Sequence, residues 1–171
     1  PEAHVTHLRH PDGRLAAAED ALRDAMVRVL TPSSLLLAPW TGDGHPDHDA
    51  LGRAARGAAQ EAGCTLHHYP VWLWHWATPE SAPWEGMLVV EPTMEALHLK
   101  RRALGMFPTQ TQALSPLPGD EPVVTPAVLA RASRVIEVLI DGGDGAPSAS
   151  ETDTRAEAFD AMYADSSDPW Q

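Results

Sequence analysis

The sequence predicts an α/β protein in which helices pack on a layered sheet. Three observations carry the prediction. Ser34-Leu35-Leu36-Leu37-Ala38-Pro39 is a short, nearly all-apolar run, the pattern of a buried parallel strand. Residues 15–30, just before it, place Leu15, Ala18, Leu22, Met26 and Leu30 at close to a 3.6-residue period, the mark of an amphipathic helix. Extended and helical segments then alternate as far as residue 140, an order that favours a layered α/β sheet.

The elements follow in order. The first helix begins after the turn Pro11-Asp12-Gly13 and ends at Thr31-Pro32, because a proline disfavours helical geometry in the residue before it. The first strand covers residues 34–39. Residues 49–62 read as a helix that Gly63 terminates as a C-cap. Residues 65–74 are β-branched and aromatic enough for a second strand, which would place Trp72, Trp74 and, just beyond it, Trp76 on one face. Residues 87–90 make a third strand. Residues 94–106 form a basic amphipathic helix, and residues 126–140 another, with Pro126 suited to its first turn.

The chain has 171 residues, enough for one domain with its own core. Twelve basic and 24 acidic residues give a net charge of −12, which argues against a nonspecific nucleic-acid binder. No apolar run approaches the ~20 residues of a membrane-spanning helix. Cys64 is alone, so an intrachain disulfide is excluded. The chain opens Pro1-Glu2, with no Met and no signal-peptide pattern, so it is expected to be a piece of a longer polypeptide, cytoplasmic by default. Residues 141–171 hold eight acids and one base, and the shift coincides with Asp141-Gly142-Gly143-Asp144-Gly145-Ala146-Pro147-Ser148. That composition reads as a flexible linker. The expected organisation is a domain over residues 1–140, a linker over 141–155 and the start of something else over 156–171.

The most informative stretch is Asp43-Gly44-His45-Pro46-Asp47-His48, which follows the first strand and precedes a helix. In open α/β sheets ligands bind at the carboxyl ends of strands. Two imidazoles and a carboxylate suit a zinc or iron site, and a carboxylate can orient an imidazole through its second nitrogen. Catalytic zinc takes about three protein ligands, so at least one more must come from elsewhere. The same residues also make a good polar turn, with Asp47 or His48 capping the next helix.

Asp43-Gly44-His45-Pro46-Asp47-His48, continued by Asp49-Ala50-Leu51-Gly52-Arg53-Ala54-Ala55, resembles the second signature of the LmbE/PIG-L family of zinc-dependent de-N-acetylases. Other pieces fall in family order. Leu8 through Pro11-Asp12-Gly13 is similar to a Leu-x-x-Pro-Asp-Gly turn, and Tyr69-Pro70-Val71-Trp72-Leu73-Trp74-His75-Trp76 to the strand after the histidine helix. Lys100-Arg101-Arg102-Ala103-Leu104 with Phe107-Pro108-Thr109-Gln110 is similar to a Lys-x-x-Ala helix running into Ser-Gln, and Glu137 to the closing Glu-hydrophobic segment.

The resemblance implies a Rossmann-like three-layer parallel sheet and a zinc cofactor held in part by His48. It implies that His45 stabilises the tetrahedral intermediate or protonates the leaving amine, with Asp47 orienting His45. The implied reaction removes an N-acetyl group from an amino sugar of the N-acetylglucosamine type or a glycoconjugate. The family's Ala-His-Pro-Asp-Asp-Glu motif, which carries two zinc ligands and the general base, is absent. His10-Pro11-Asp12-Gly13 does not replace it, since it precedes a helix and lacks the second Asp and the Glu. The fold is thus expected to be incomplete at its N-terminus, and the chain alone inactive and a weak zinc binder.

Residues 158–170, with Phe159-Asp160, Tyr163 and Asp168-Pro169-Trp170, resemble the opening of nodulation-protein-S-type S-adenosylmethionine-dependent methyltransferases. That implies a parent joining a deacetylase to a methyltransferase, the tail otherwise being a short acidic helix with a disordered end. The competing expectation is a non-catalytic acidic interaction module in which His45 and His48 only cap a helix. Among other residues, the tryptophans could stack on a sugar but more commonly pack in a core or rim. Lys100, Arg101 and Arg102 read as a solvated helix face, His67-His68 as a strand-edge pair, and Cys64 as a small buried hydrophobe.

Overall fold

The computed structural model describes residues 3–78 and 80–142. These divide into two compact units, the first containing residues 3–73 with 140–142 and the second the remainder. The rest of the expected linker, from Gly143 onward, and the segment expected to resemble a methyltransferase lie outside the described residues. No described helix is long and apolar enough to cross a membrane.

In the first unit a 3-10 turn, Leu15–Ala18, leads into α1, Glu19–Val27. Then come β1, Leu35–Pro39, α2, Pro46–Ala62, and β2, Thr65–Tyr69. β1 and β2 pair in parallel, from Leu35 opposite Thr65 to Pro39 opposite Tyr69. The alternation of a strand puts Leu36, Ala38 and Leu66 on the face that α2 covers. There Ala38, Ala55, Ala59 and Leu66 form a closed apolar cluster, with Met26, Leu36 and Cys64 packed against it. The small side chains of Ala50, Ala54, Ala55, Ala58 and Ala59, all buried, let α2 lie close to the sheet. At Gly52 the approach is closest: a Cβ there would stand 2.6 Å from the Pro39 carbonyl oxygen and 2.8 Å from Thr41 Cγ2. Gly63 ends α2 in the left-handed region at φ 65°, as its position predicts.

β4, Glu137–Asp141, runs antiparallel to β2 through Asp141 opposite His67 and Ile140 opposite His68. Within this unit the sheet is therefore mixed, not wholly parallel, with β2 between β1 and the end of β4. The expected helix over residues 126–140 is corrected as well. It stops after Ala132, because Val135-Ile136 and Val138-Leu139-Ile140 form a mostly β-branched run that fits a pleated strand better than a helix. Asp141, expected to open the linker, closes that strand.

The second strand is shorter than expected. It ends at Tyr69 before Pro70, which has no N–H for a ladder, and Leu73–Trp76 forms a short helix, α3. Trp72, Trp74 and Trp76 therefore do not share a strand face.

The second unit contains β3, Met87–Val90, α4, Met94–Leu104, α5, Pro108–Thr111, and α6, Pro126–Ala132. Thr93 and Thr125 cap α4 and α6 by accepting the amides of Ala96 and Val128. Lys100 is not simply a solvated charge. It is largely buried, ion-paired with Glu137, and donates to the Arg134 carbonyl at 3.3 Å. Arg131, also buried, donates to the Trp74 carbonyl and lies over the Trp74 ring, 5.9 Å from its centre.

Candidate metal and catalytic site

The site belongs to the first unit and is built where β1 ends. After Pro39 the chain turns. The Trp40 amide continues the β1–β2 ladder by donating to the Tyr69 carbonyl, and Gly44 takes φ 84° to redirect the loop into α2. His45 is the N-cap of α2, with Pro46 in the first helical position. The His45 Nδ1 atom accepts the Asp47 amide at 3.2 Å, so a neutral ring carries its proton on Nε2.

Asp43 organises the rest. Its carboxylate has 0 % exposure and receives three consecutive amides, Val71 and Leu73 on Oδ1 and Trp72 on Oδ2, each at 2.9 Å. Oδ2 also meets His48 Nδ1 at 2.6 Å. Burial by itself would raise this carboxyl. The Trp72 amide, the His48 ring and the amides of Leu73 and Val71 together outweigh burial and hold it below the ordinary carboxylate range. Asp43 is thus ionised and accepts, His48 Nδ1 donates, and a neutral His48 ring keeps its lone pair on Nε2. As neutral rings the two histidines would take opposite tautomers. Their rings stack, with centres 4.4 Å apart and planes 28° apart, and the Trp72 indole lies 5.5 Å from the His45 ring at 60°.

Asp47 takes a different place from the one expected. The link between residues 47 and 45 runs through the Asp47 backbone amide. The Asp47 carboxylate instead accepts the Gly13 amide at 2.7 Å and the Leu15 amide at 3.0 Å. The Leu15 amide, against a smaller effect of burial, and then Gly13 and the charges of His45 and His48 hold Asp47 below the usual carboxylate range. Asp47 therefore ties the Pro11-Asp12-Gly13 turn to the start of α2.

The partner that sequence reasoning missed is Asp43. The signal was present: a carboxylate five residues before His48, in the same post-strand loop. Its three amide partners lie 28 to 30 residues away, beyond the reach of any local pattern.

The remaining histidines stand apart. His67 Nδ1 is 3.8 Å from Asp141 Oδ1. His68 is no edge residue: it is fully buried, its Nδ1 lies 2.8 Å from the Pro39 carbonyl, and its Nε2 has no hydrogen-bond partner among the described residues. Burial, aided by the Arg56 charge, pushes its pKa down despite the Pro39 carbonyl. Burial and then the Asp43 charge push the Tyr69 hydroxyl up. Cys64 is partly buried.

Among the described residues no group of three or more His, Cys, Asp or Glu converges as a metal cage. A cavity of 290 Å³ lined by Arg56, Gln60, Cys64 and Asp141 lies at the carboxyl end of α2, opposite the end that carries the two histidines. No protein-family profile, curated protein or solved structure matches the chain.

Proposed function

We propose that this chain carries the histidine half of a zinc-dependent hydrolase that removes an N-acetyl or other N-acyl group from an amino sugar or glycoconjugate. The observation that carries the reading is the buried Asp43 carboxylate on His48 Nδ1. A carboxylate on one imidazole nitrogen, leaving the other as a lone-pair donor, is the arrangement that orients histidine ligands of zinc. The donor set fits one zinc ligand, His48. Catalytic zinc takes about three protein ligands, so the remaining ligands and the carboxylate base come from outside the described residues. The parallel β1–α2–β2 unit, with its histidines at the carboxyl end of β1, supports extending the fold to a Rossmann-like three-layer arrangement.

Bound zinc supplies polarisation of the acyl carbonyl and a more acidic water. His48 holds its Nε2 lone pair ready because Asp43 occupies its other nitrogen. His45 presents an Nε2–H, since its Nδ1 is taken by the Asp47 amide. A neutral ring in that tautomer offers a hydrogen bond, not a proton. This favours stabilisation of the developing oxyanion over protonation of the leaving amine. Asp47 acts one step back, setting the start of α2 and, through its amide, the His45 ring.

The test is to express the longest natural reading frame containing this chain and its His48→Ala variant. Zinc per chain and release of acetate from N-acetylglucosamine derivatives are then measured. Loss of both in a variant with unchanged circular dichroism is expected. Equal zinc content and turnover in the two proteins would overturn the reading.

A further inference from the structure

We propose that the Trp72 indole is the stacking platform for the pyranose ring of the substrate, and thereby selects sugar-bearing amides. The inference deepens the hydrolase reading, on which it rests for the identity of the reacting group.

Trp72 is 48 % exposed, and it lies directly beside His45, with ring centres 5.5 Å apart. Its exposure is not that of a loose loop. The Trp72 amide donates to Asp43 Oδ2 at 2.9 Å, and the amides on either side donate to Oδ1 of the same buried carboxylate. Asp43 Oδ2 also holds His48. One oxygen therefore positions both the residue bearing the exposed indole and the imidazole assigned to the metal. The backbone that bears the indole and the His48 ring are thus set by one carboxylate, which reduces the ordering that binding requires.

A pyranose ring suits such a surface. One of its faces is lined by C–H groups and its rim by hydroxyls. Laying that face on an indole removes apolar area from water while the hydroxyls stay wet. Trp40 is the less suitable ring. It packs against its own loop so closely that a Cβ at Gly42 would lie 2.6 Å from it.

The experiment uses the full 171-residue chain without metal and N-acetylglucosamine as probe, followed through the indole N–H signals in nitrogen-15 NMR. Trp72→Phe, which keeps the backbone bond to Asp43, identifies the Trp72 signal by its loss. That signal is expected to shift progressively with added sugar. Affinity should fall about tenfold in Trp72→Ala, the full extent of an aromatic contact, and less in Trp72→Phe. A Trp72 signal that does not respond to the sugar, or equal affinity in Trp72→Ala, overturns the proposal. Because binding is read without metal or turnover, the two readings fail separately. Sugar binding through Trp72 without any deacetylation in the longer protein removes the hydrolase reading alone. Deacetylation with an unchanged KM in Trp72→Ala removes the platform alone.

Discussion

His48 Nδ1 and Asp43 Oδ2 meet at 2.6 Å, and the same Asp43 oxygen accepts the amide of Trp72 at 2.9 Å. One buried carboxylate thus joins the loop after β1, the first turn of α2 and the chain beyond β2. Removing it should damage both stability and the chemistry of His48. Asp43→Asn would oppose an NH2 group to some of the amides and the ring N–H that now donate. Asp43→Ala would leave all of them without an acceptor. Each variant is expected to lose about 3 kcal/mol or more in urea unfolding, since buried hydrogen bonds to charged groups contribute about 1.5–3 kcal/mol each. Nitrogen-15 NMR of His48 should show a shift in tautomer balance. An unchanged urea midpoint would show that Asp43 is not the anchor.

Stability should depend on pH in two stages. His68 is held below its ordinary pKa by burial, so the unfolded chain takes up a proton before the folded one does. Its contribution is present above about pH 6.5 and is lost as pH falls from there toward the depressed folded value. Asp43 and Asp47 are also depressed. Their contribution is present above about pH 4 and disappears as pH falls through their lower folded values. Melting curves from pH 8 to pH 2 should show both declines, and His68→Gln should flatten only the first. A Tm that rises on acidification contradicts the assignment.

Gly52→Ala opposes two effects. Alanine favours a helix interior over glycine by about 1 kcal/mol. Here its Cβ would meet the Pro39 carbonyl oxygen at 2.6 Å and the Thr41 amide nitrogen at 3.2 Å, backbone atoms that cannot swing aside. Overpacking of this kind costs about 1–3 kcal/mol, so net destabilisation is expected, read as a lower urea midpoint. A stabilised variant would mean that α2 sits farther from β1 than described.

Asp47→Ala should loosen the segment before α1. The Gly13 and Leu15 amides lose their acceptor, while the Asp47 amide remains to hold the His45 ring. Limited proteolysis is expected to accelerate near Asp12-Gly13, with the environment of the His45 ring little changed by NMR. Undiminished protease resistance would show that the turn is held by other contacts.

On the proposed reading zinc should bind the 171-residue chain only weakly, because that reading gives it one oriented imidazole ligand, His48, where catalytic zinc takes about three protein ligands. Dialysis against metal-free buffer is expected to leave far less than one zinc per chain. Retention of a full equivalent would require ligands that the reading places elsewhere.

Much of this could be read from residue order. The apolar run of β1, the Gly63 stop of α2, the strand at Met87–Val90 and the helix from Met94 depend on spacing and capping within a few residues. They appear where those local rules put them. So does the position of the histidine loop between a strand and a helix, since both of its neighbours are locally encoded.

What residue order left undecided is what depends on distant partners. The run before Asp141 could serve a helix or a strand until pairing with His67 and His68 settled it. Pro70 marks the break after Tyr69 locally, but the fate of the three tryptophans was settled when Asp43 drew the amides of Val71, Trp72 and Leu73 out of any ladder. The same capture assigned the carboxylate beside His48 to Asp43 and freed Asp47 for Gly13 and Leu15. A buried carboxylate needs several donors at once, and only a folded chain can bring residues some thirty positions apart to a single pair of oxygens.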